Sequence, residues 1–146
     1  MSFTTGAASG AISYGISNKI YSSKALKERD TLLQGMSKNQ RSKHSTIVGA
    51  YDAKLGRVNV DFSGKIPDKI SGSLVKRANR IGGIGSKGLT LNNTVGTCAE
   101  FRSANTLMLR GSRINNIKFI DAVNPKNMKF KPACENCRSI FKESLR

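Results

Sequence analysis

Three cysteines, Cys98, Cys134 and Cys137, constrain this chain more than any other feature. An odd number cannot all pair within one chain, and their spacing resembles metal ligation more than a disulfide framework. A reducing compartment is the matching expectation. Cys134 and Cys137 stand three apart, so a single helical turn sets two sulfurs where one ion can bridge them. Cys98 has to reach the same point through the fold. At 146 residues the chain has the length of one domain, large enough to bury about two-thirds of its unfolded surface without disulfides. With 38% hydrophobic residues and three prolines, the composition excludes wholesale disorder.

Charge narrows the partners. Twenty-five basic against nine acidic side chains leave +16, a surplus that attracts polyanions, nucleic acid first and anionic membrane second. The surplus is uneven, since residues 63 to 146 hold sixteen basic and five acidic groups, +11 of the total. Lys76, Arg77, Arg80, Lys126, Lys129 and Lys131 read as a phosphate track. No segment approaches the ~20 apolar residues of a membrane span, and the N-terminus lacks the basic and apolar regions of a signal peptide.

Pattern along the chain gives the element order. Residues 1 to 21 are small and Gly- and Ser-rich and read as a linker or loosely ordered segment, leaving 22 to 146 as the single domain. Ala25, Leu26, Leu32, Leu33 and Met36 predict a helix starting near Ser22 and ending near Gly35. Lys38 to His44 reads as a basic loop. Thr46–Asp52 and Arg57–Phe62 alternate as paired strands. A short helix within Asp68–Arg80 interrupts a Gly-punctuated loop, and Phe101, Ala104, Leu107 and Met108 place a core-facing helix from Ala99 to a stop at Gly111. Ile117–Val123 reads as a buried strand, and a last helix opens at Cys134, with Ile140 and Phe141 turned inward.

All three cysteines therefore fall at helix starts, where unpaired N–H groups and the positive dipole end favour thiolates. Three thiolates suit zinc. A structural zinc site closes with four protein ligands, whereas a catalytic one keeps a position for water. Glu100, two residues after Cys98, is a carboxylate placed to shuttle protons beside such a metal.

Cys98-Ala-Glu100 followed by Pro132-Ala-Cys134-Glu-Asn-Cys137 resembles the signature of the zinc-dependent nucleobase deaminases. The likeness spans roughly residues 92 to 141. Within that superfamily the all-cysteine ligand set and strongly basic domain resemble the YwqJ-like bacterial deaminase toxins. The resemblance implies an α/β protein with a three-layer α/β/α cytidine-deaminase-like fold, a small mixed sheet flanked by helices. It implies Zn²⁺ on Cys98, Cys134 and Cys137, Glu100 as general acid/base, and the Ala99 N–H facing the base's carbonyl. Asn92 or Asn93 would contact sugar or base, and Arg102 and Arg138 would offset the negative charge of the thiolates. It further implies a nucleobase in nucleic acid as substrate, cytosine ahead of adenine, in a single strand or flipped from a duplex. A cognate immunity protein would be a partner. Such a domain is secreted or delivered at the C-terminus of a larger toxin and acts in the target-cell cytoplasm. Two other readings stay open: a free-nucleoside deaminase, and a non-catalytic, zinc-stabilised nucleic-acid-binding module closed by His44 or Glu100.

Overall fold

The computed structural model describes the backbone of residues 6–145 and the side chains of residues 15–145. Helix α1 runs from Gly6 to Gln34, well upstream of the start near Ser22 that the apolar spacing predicts. The expected linker boundary at residues 21 and 22 falls inside it, and residues 1–5 of that segment lie outside the described residues. No proline interrupts the stretch, so the i→i−4 ladder continues where side-chain periodicity gives no signal. The supposed basic loop contains a short helix α2, Lys38–Ser42, nucleated by a capping box: the Ser37 hydroxyl accepts from the Gln40 N–H and the Gln40 side chain accepts from the Ser37 N–H.

Strands β1 (Ile47–Asp52) and β2 (Arg57–Phe62) form the expected hairpin, paired from Ile47 opposite Phe62 to Asp52 opposite Arg57. Strand β3 is shorter than the Ile117–Val123 run predicts, covering Ile117–Phe119 opposite Asp52–Ala50. Beyond it the Ile120 N–H still donates to the Gly49 carbonyl, and Val123 rejoins as an isolated bridge to Ile47. The order is β2-β1-β3, and both pairings are antiparallel rather than mixed. β1 takes the centre because each of its six residues is buried, a run suited to cover on both faces.

Helices supply that cover. Side chains alternate along a strand, and α1 packs on one face, where a Cβ on Gly49 would lie 3.0 Å from the Ala25 Cβ. Helix α4, Ala99–Leu109, crosses β1 and β2 on the other. Its Phe101, Ala104 and Leu107 join Ala50 and Ile117 in the main core. Helices α3 (Gly72–Asn79) and α5 (Glu135–Ile140) pack on one another and close that core with Leu74, Ala78, Ile140 and Phe141. The inward stripe on α4 and the inward Ile140 and Phe141 thus follow the sequence pattern. Phe101 is fully buried; truncating it to Ala costs about 3–5 kcal/mol by the usual core cavity scale, which makes it the anchor that holds the start of α4 in place. No helix among the described residues is long and apolar enough to cross a membrane.

Candidate metal centre and cleft

Cys98 and Cys134 occupy the N-cap positions of α4 and α5, each with extended backbone and no side-chain capping bond. Their sulfurs are thus left to face one another, 3.4 Å apart. Cys137, one turn into α5, is almost fully buried. The three sulfurs lie within 4.8 Å of one another, and among the described residues no histidine or carboxylate joins the group. A tetrahedral zinc site with Zn–S near 2.3 Å needs sulfurs about 3.8 Å apart, a value that lies between the 3.4 Å Cys98–Cys134 separation and the 4.8 Å span of the cluster. A disulfide needs about 2.05 Å, and all three cysteines are free. The cluster can hold a metal ion, and three soft thiolates favour the zinc class over hard, oxygen-seeking cations.

The thiols share their protons unequally. Cys134 is pulled down to about 2 by hydrogen bonds from Cys137 and Cys98, against its own burial. Cys98 is pushed up to about 12, first by its hydrogen bond to Cys134. Cys137 is pushed well above the ordinary thiol range by Cys134, by Cys98 and by burial. Cys134 is thus the most acidic of the three thiols, the sulfur that also accepts from the Cys137 and Asn136 backbone N–H groups at the helix start.

Glu100, in the first turn of α4, is 5% exposed. Burial raises its pKa, and the nearby Cys134 charge adds to the rise. It lines a cleft of about 250 Å³ together with Cys98, Ala99 and Cys134. Ala99 is the first residue of α4, so its N–H has no intrahelical acceptor. That volume is below the ~300–1,000 Å³ of drug-sized pockets, a size suited to one planar ring. The remaining wall comes from Asn93, Thr97, Lys131 and Pro132, and from Ser45, Thr46 and Ser63 beside the hairpin.

The fold therefore gathers Cys98, Cys134, Cys137, Glu100, Ala99 and Asn93. Asn92 is exposed and off the cleft wall. Arg102 is engaged elsewhere: its guanidinium donates to the Phe62 carbonyl at 2.8 Å and to the Lys65 carbonyl, and lies 3.5 Å from Asp61. Arg138 is exposed and borders a separate cleft of about 300 Å³ that Glu100 also reaches. His44 stacks on Phe62, ring centroids 4.2 Å apart, and takes no part in the sulfur group. Of the basic track, Lys131 reaches the cleft, whereas Arg77 is bound to Glu143 at 2.6 Å and to the Ile140 carbonyl.

Sequence reasoning missed Ser45, Thr46 and Ser63, polar residues at the open end of the hairpin, where the strand pattern itself signals that a loop faces the site. It also missed Asn136, the polar residue between the two cysteines of α5. No protein-family model, curated protein or solved structure matches the chain.

Proposed function

We propose that this protein is a zinc-dependent hydrolytic deaminase acting on a nucleobase, cytosine ahead of adenine, in single-stranded or locally opened nucleic acid. The observation that carries the reading is a cluster of three thiols within 4.8 Å, two of which, Cys98 and Cys134, open with the buried carboxylate Glu100 onto one small cleft. The chemistry a bound zinc ion supplies is Lewis acidity, which brings the pKa of water toward ~7. Cys98, Cys134 and Cys137 would hold it. Glu100 takes a proton from the attacking water and passes it to the ring nitrogen as the new C–O bond forms. It then carries the hydroxyl proton to the amine whose C–N bond breaks, leaving a carbonyl and ammonia. The unpaired Ala99 N–H is available to the base's carbonyl oxygen, and Asn93 stands at the edge that sugar or base would meet. Glu100 is buried in the cleft, so the target base has to leave its stack to reach it.

The +16 net charge favours a polyanion over a free nucleoside as substrate. A role as a secreted effector domain restrained by an immunity protein rests on the sequence resemblance alone, and an acidic inhibitor would suit so basic a target. The deciding experiment exposes zinc-loaded protein to single-stranded DNA, RNA and a nucleoside panel, then reads C-to-U and A-to-I conversion by sequencing and mass. Conversion in a polynucleotide is the expected result. Conversion of nucleosides alone selects the free-nucleoside enzyme, and tight binding without any conversion selects the zinc-stabilised binding module.

A further inference from the structure

We propose that Asn136 is a positioning residue that ties the loop 87–93 to the first turn of α5, making that loop a fixed outer wall of the cysteine cleft and presenting Asn93 to the substrate. Asn136 lies between Cys134 and Cys137 and is 1% exposed. Its amide bonds the loop and not its own helix. The Oδ1 accepts from the Leu89 N–H at 2.7 Å, while the Nδ2 donates to the Lys87 carbonyl at 3.1 Å, the Asn93 carbonyl at 3.3 Å and the Thr90 hydroxyl at 3.4 Å.

The loop's other hydrogen bonds stay within residues 86–94, chiefly through the Thr90 hydroxyl, which bonds the Lys87 carbonyl and both backbone groups of Asn93, so the Asn136 amide is its polar link to α5. The loop's two large apolar residues, Leu89 and Leu91, are 52% and 90% exposed, so hydrophobic burial does not hold it. The backbone is shaped around the amide instead: Gly88 has φ +58°, and a Cβ there would collide with the Asn136 Oδ1 and lie 2.9 Å from Val95 Cγ2. A buried amide that loses its partners pays the full desolvation cost, so loop and helix turn are locked together. Asn93, which lines the cleft, is held by the Thr90 hydroxyl, which donates to its carbonyl at 2.8 Å and accepts from its N–H at 3.1 Å. The Asn136 Nδ2 donates to both that carbonyl and that hydroxyl, fixing the pair against α5. A residue flanked by two metal ligands therefore sets where the substrate-facing edge of the cleft stands.

The kinetic part of this inference rests on the deaminase reading; the structural part does not, and the test separates them. In the zinc-loaded full chain, Asn136→Ala should speed amide exchange across 87–93 by about tenfold or more, the scale of a lost buried hydrogen-bond set. Exchange in β1 and the zinc content should stay as in wild type. Gly88→Ala perturbs the same contact from the loop side, pressing on the Asn136 Oδ1 without substituting any residue of α5, and should give the same local pattern, which keeps the test decisive if Asn136→Ala fails to fold. Asn136→Asp retains the acceptor for Leu89 but loses both donors, and should fall between. Wild-type loop protection in both Asn136→Ala and Gly88→Ala overturns the proposal. On a single-stranded oligonucleotide, Asn136→Ala should raise KM about five- to tenfold with kcat within about twofold, the mark of lost positioning without lost chemistry; a fall in kcat at constant KM overturns the presentation of Asn93. Absence of turnover in the wild type refutes the deaminase reading, and loop exchange still decides the role of Asn136.

Discussion

Two concavities on opposite sides of the molecule differ in a way that size does not reveal. The groove between α1 and β2, walled by Lys24, Lys27, Leu32, Asn59 and Val60, encloses about 530 Å³, twice the roughly 250 Å³ of the cysteine cleft. Yet the groove is a gap between a helix flank and an edge strand, and its lysines and Leu32 are exposed. The small cleft collects two helix N-termini, two thiols with the buried Cys137 behind them, and a carboxylate 5% exposed. Burying such groups is costly unless something compensates them. Convergence of costly groups, not volume, marks the candidate site.

The largest break in that comparison comes from removing a ligand. Cys134→Ala deletes one of the three sulfurs, and because metal binding and folding are coupled, the variant should lose its zinc on dialysis and melt at a lower temperature. Zinc content by elemental analysis and a thermal melt check this; retention of one zinc per chain would deny the cluster its role. Glu100→Gln should act on the second component alone. Zinc and fold should persist, while turnover drops about 10²- to 10⁴-fold, the usual cost of a lost general acid/base. Release of zinc by Glu100→Gln would instead make Glu100 a ligand and the centre a closed structural one.

Much of this was legible before any coordinates, and the division follows the range of the forces. The hairpin, α4 and the cysteine turn of α5 are local: alternation places Ile47–Asp52 against Arg57–Phe62, and the 101, 104, 107, 108 stripe sets the inward face of α4. Cys98, Glu100 and the Cys134–Cys137 pair could be assembled on one site because each sits at a helix start. What escaped was set by tertiary contact. Arg102 stands one turn beyond Cys98, but the Phe62 and Lys65 carbonyls and Asp61 draw its guanidinium toward the end of β2. Asn136 reads as one more polar helix residue until the loop from Lys87 folds over it. The early start of α1 escaped because a segment of small residues carries almost no periodic signal, although nothing in it forbids a helix.

Electrostatics sharpens the contrast at a smaller scale. Lys131 lines the cysteine cleft, whereas Lys24 and Lys27 line the groove. If single-stranded nucleic acid tracks into the cleft through about three phosphate contacts, affinity should weaken ~20-fold between 50 and 200 mM salt. Lys131→Ala should reduce the log–log salt slope by about 0.7, one single-strand phosphate contact. The double substitution Lys24→Ala, Lys27→Ala should leave the slope nearly unchanged. Oligonucleotide titrations monitored by fluorescence anisotropy at several salt concentrations measure both, and a larger loss from the groove pair would place the polyanion on the wrong side of the molecule.

The smallest effect should come from the groove's own apolar wall. Leu32 is 41% exposed, so Leu32→Gln exchanges one good helix former for another at a site that packs little. Surface changes of this kind stay within about 0.5 kcal/mol, a melting shift of about 1–2 °C for a chain of this length. Zinc content, oligonucleotide affinity and turnover should all match wild type, because α1 meets the sheet on the face away from α4 and no residue of this groove borders the cysteine cleft. A melt together with the conversion assay tests this directly. Loss of turnover without loss of stability would mean that the face between α1 and β2 reaches the chemistry through β1, and the separation of the two concavities would no longer hold.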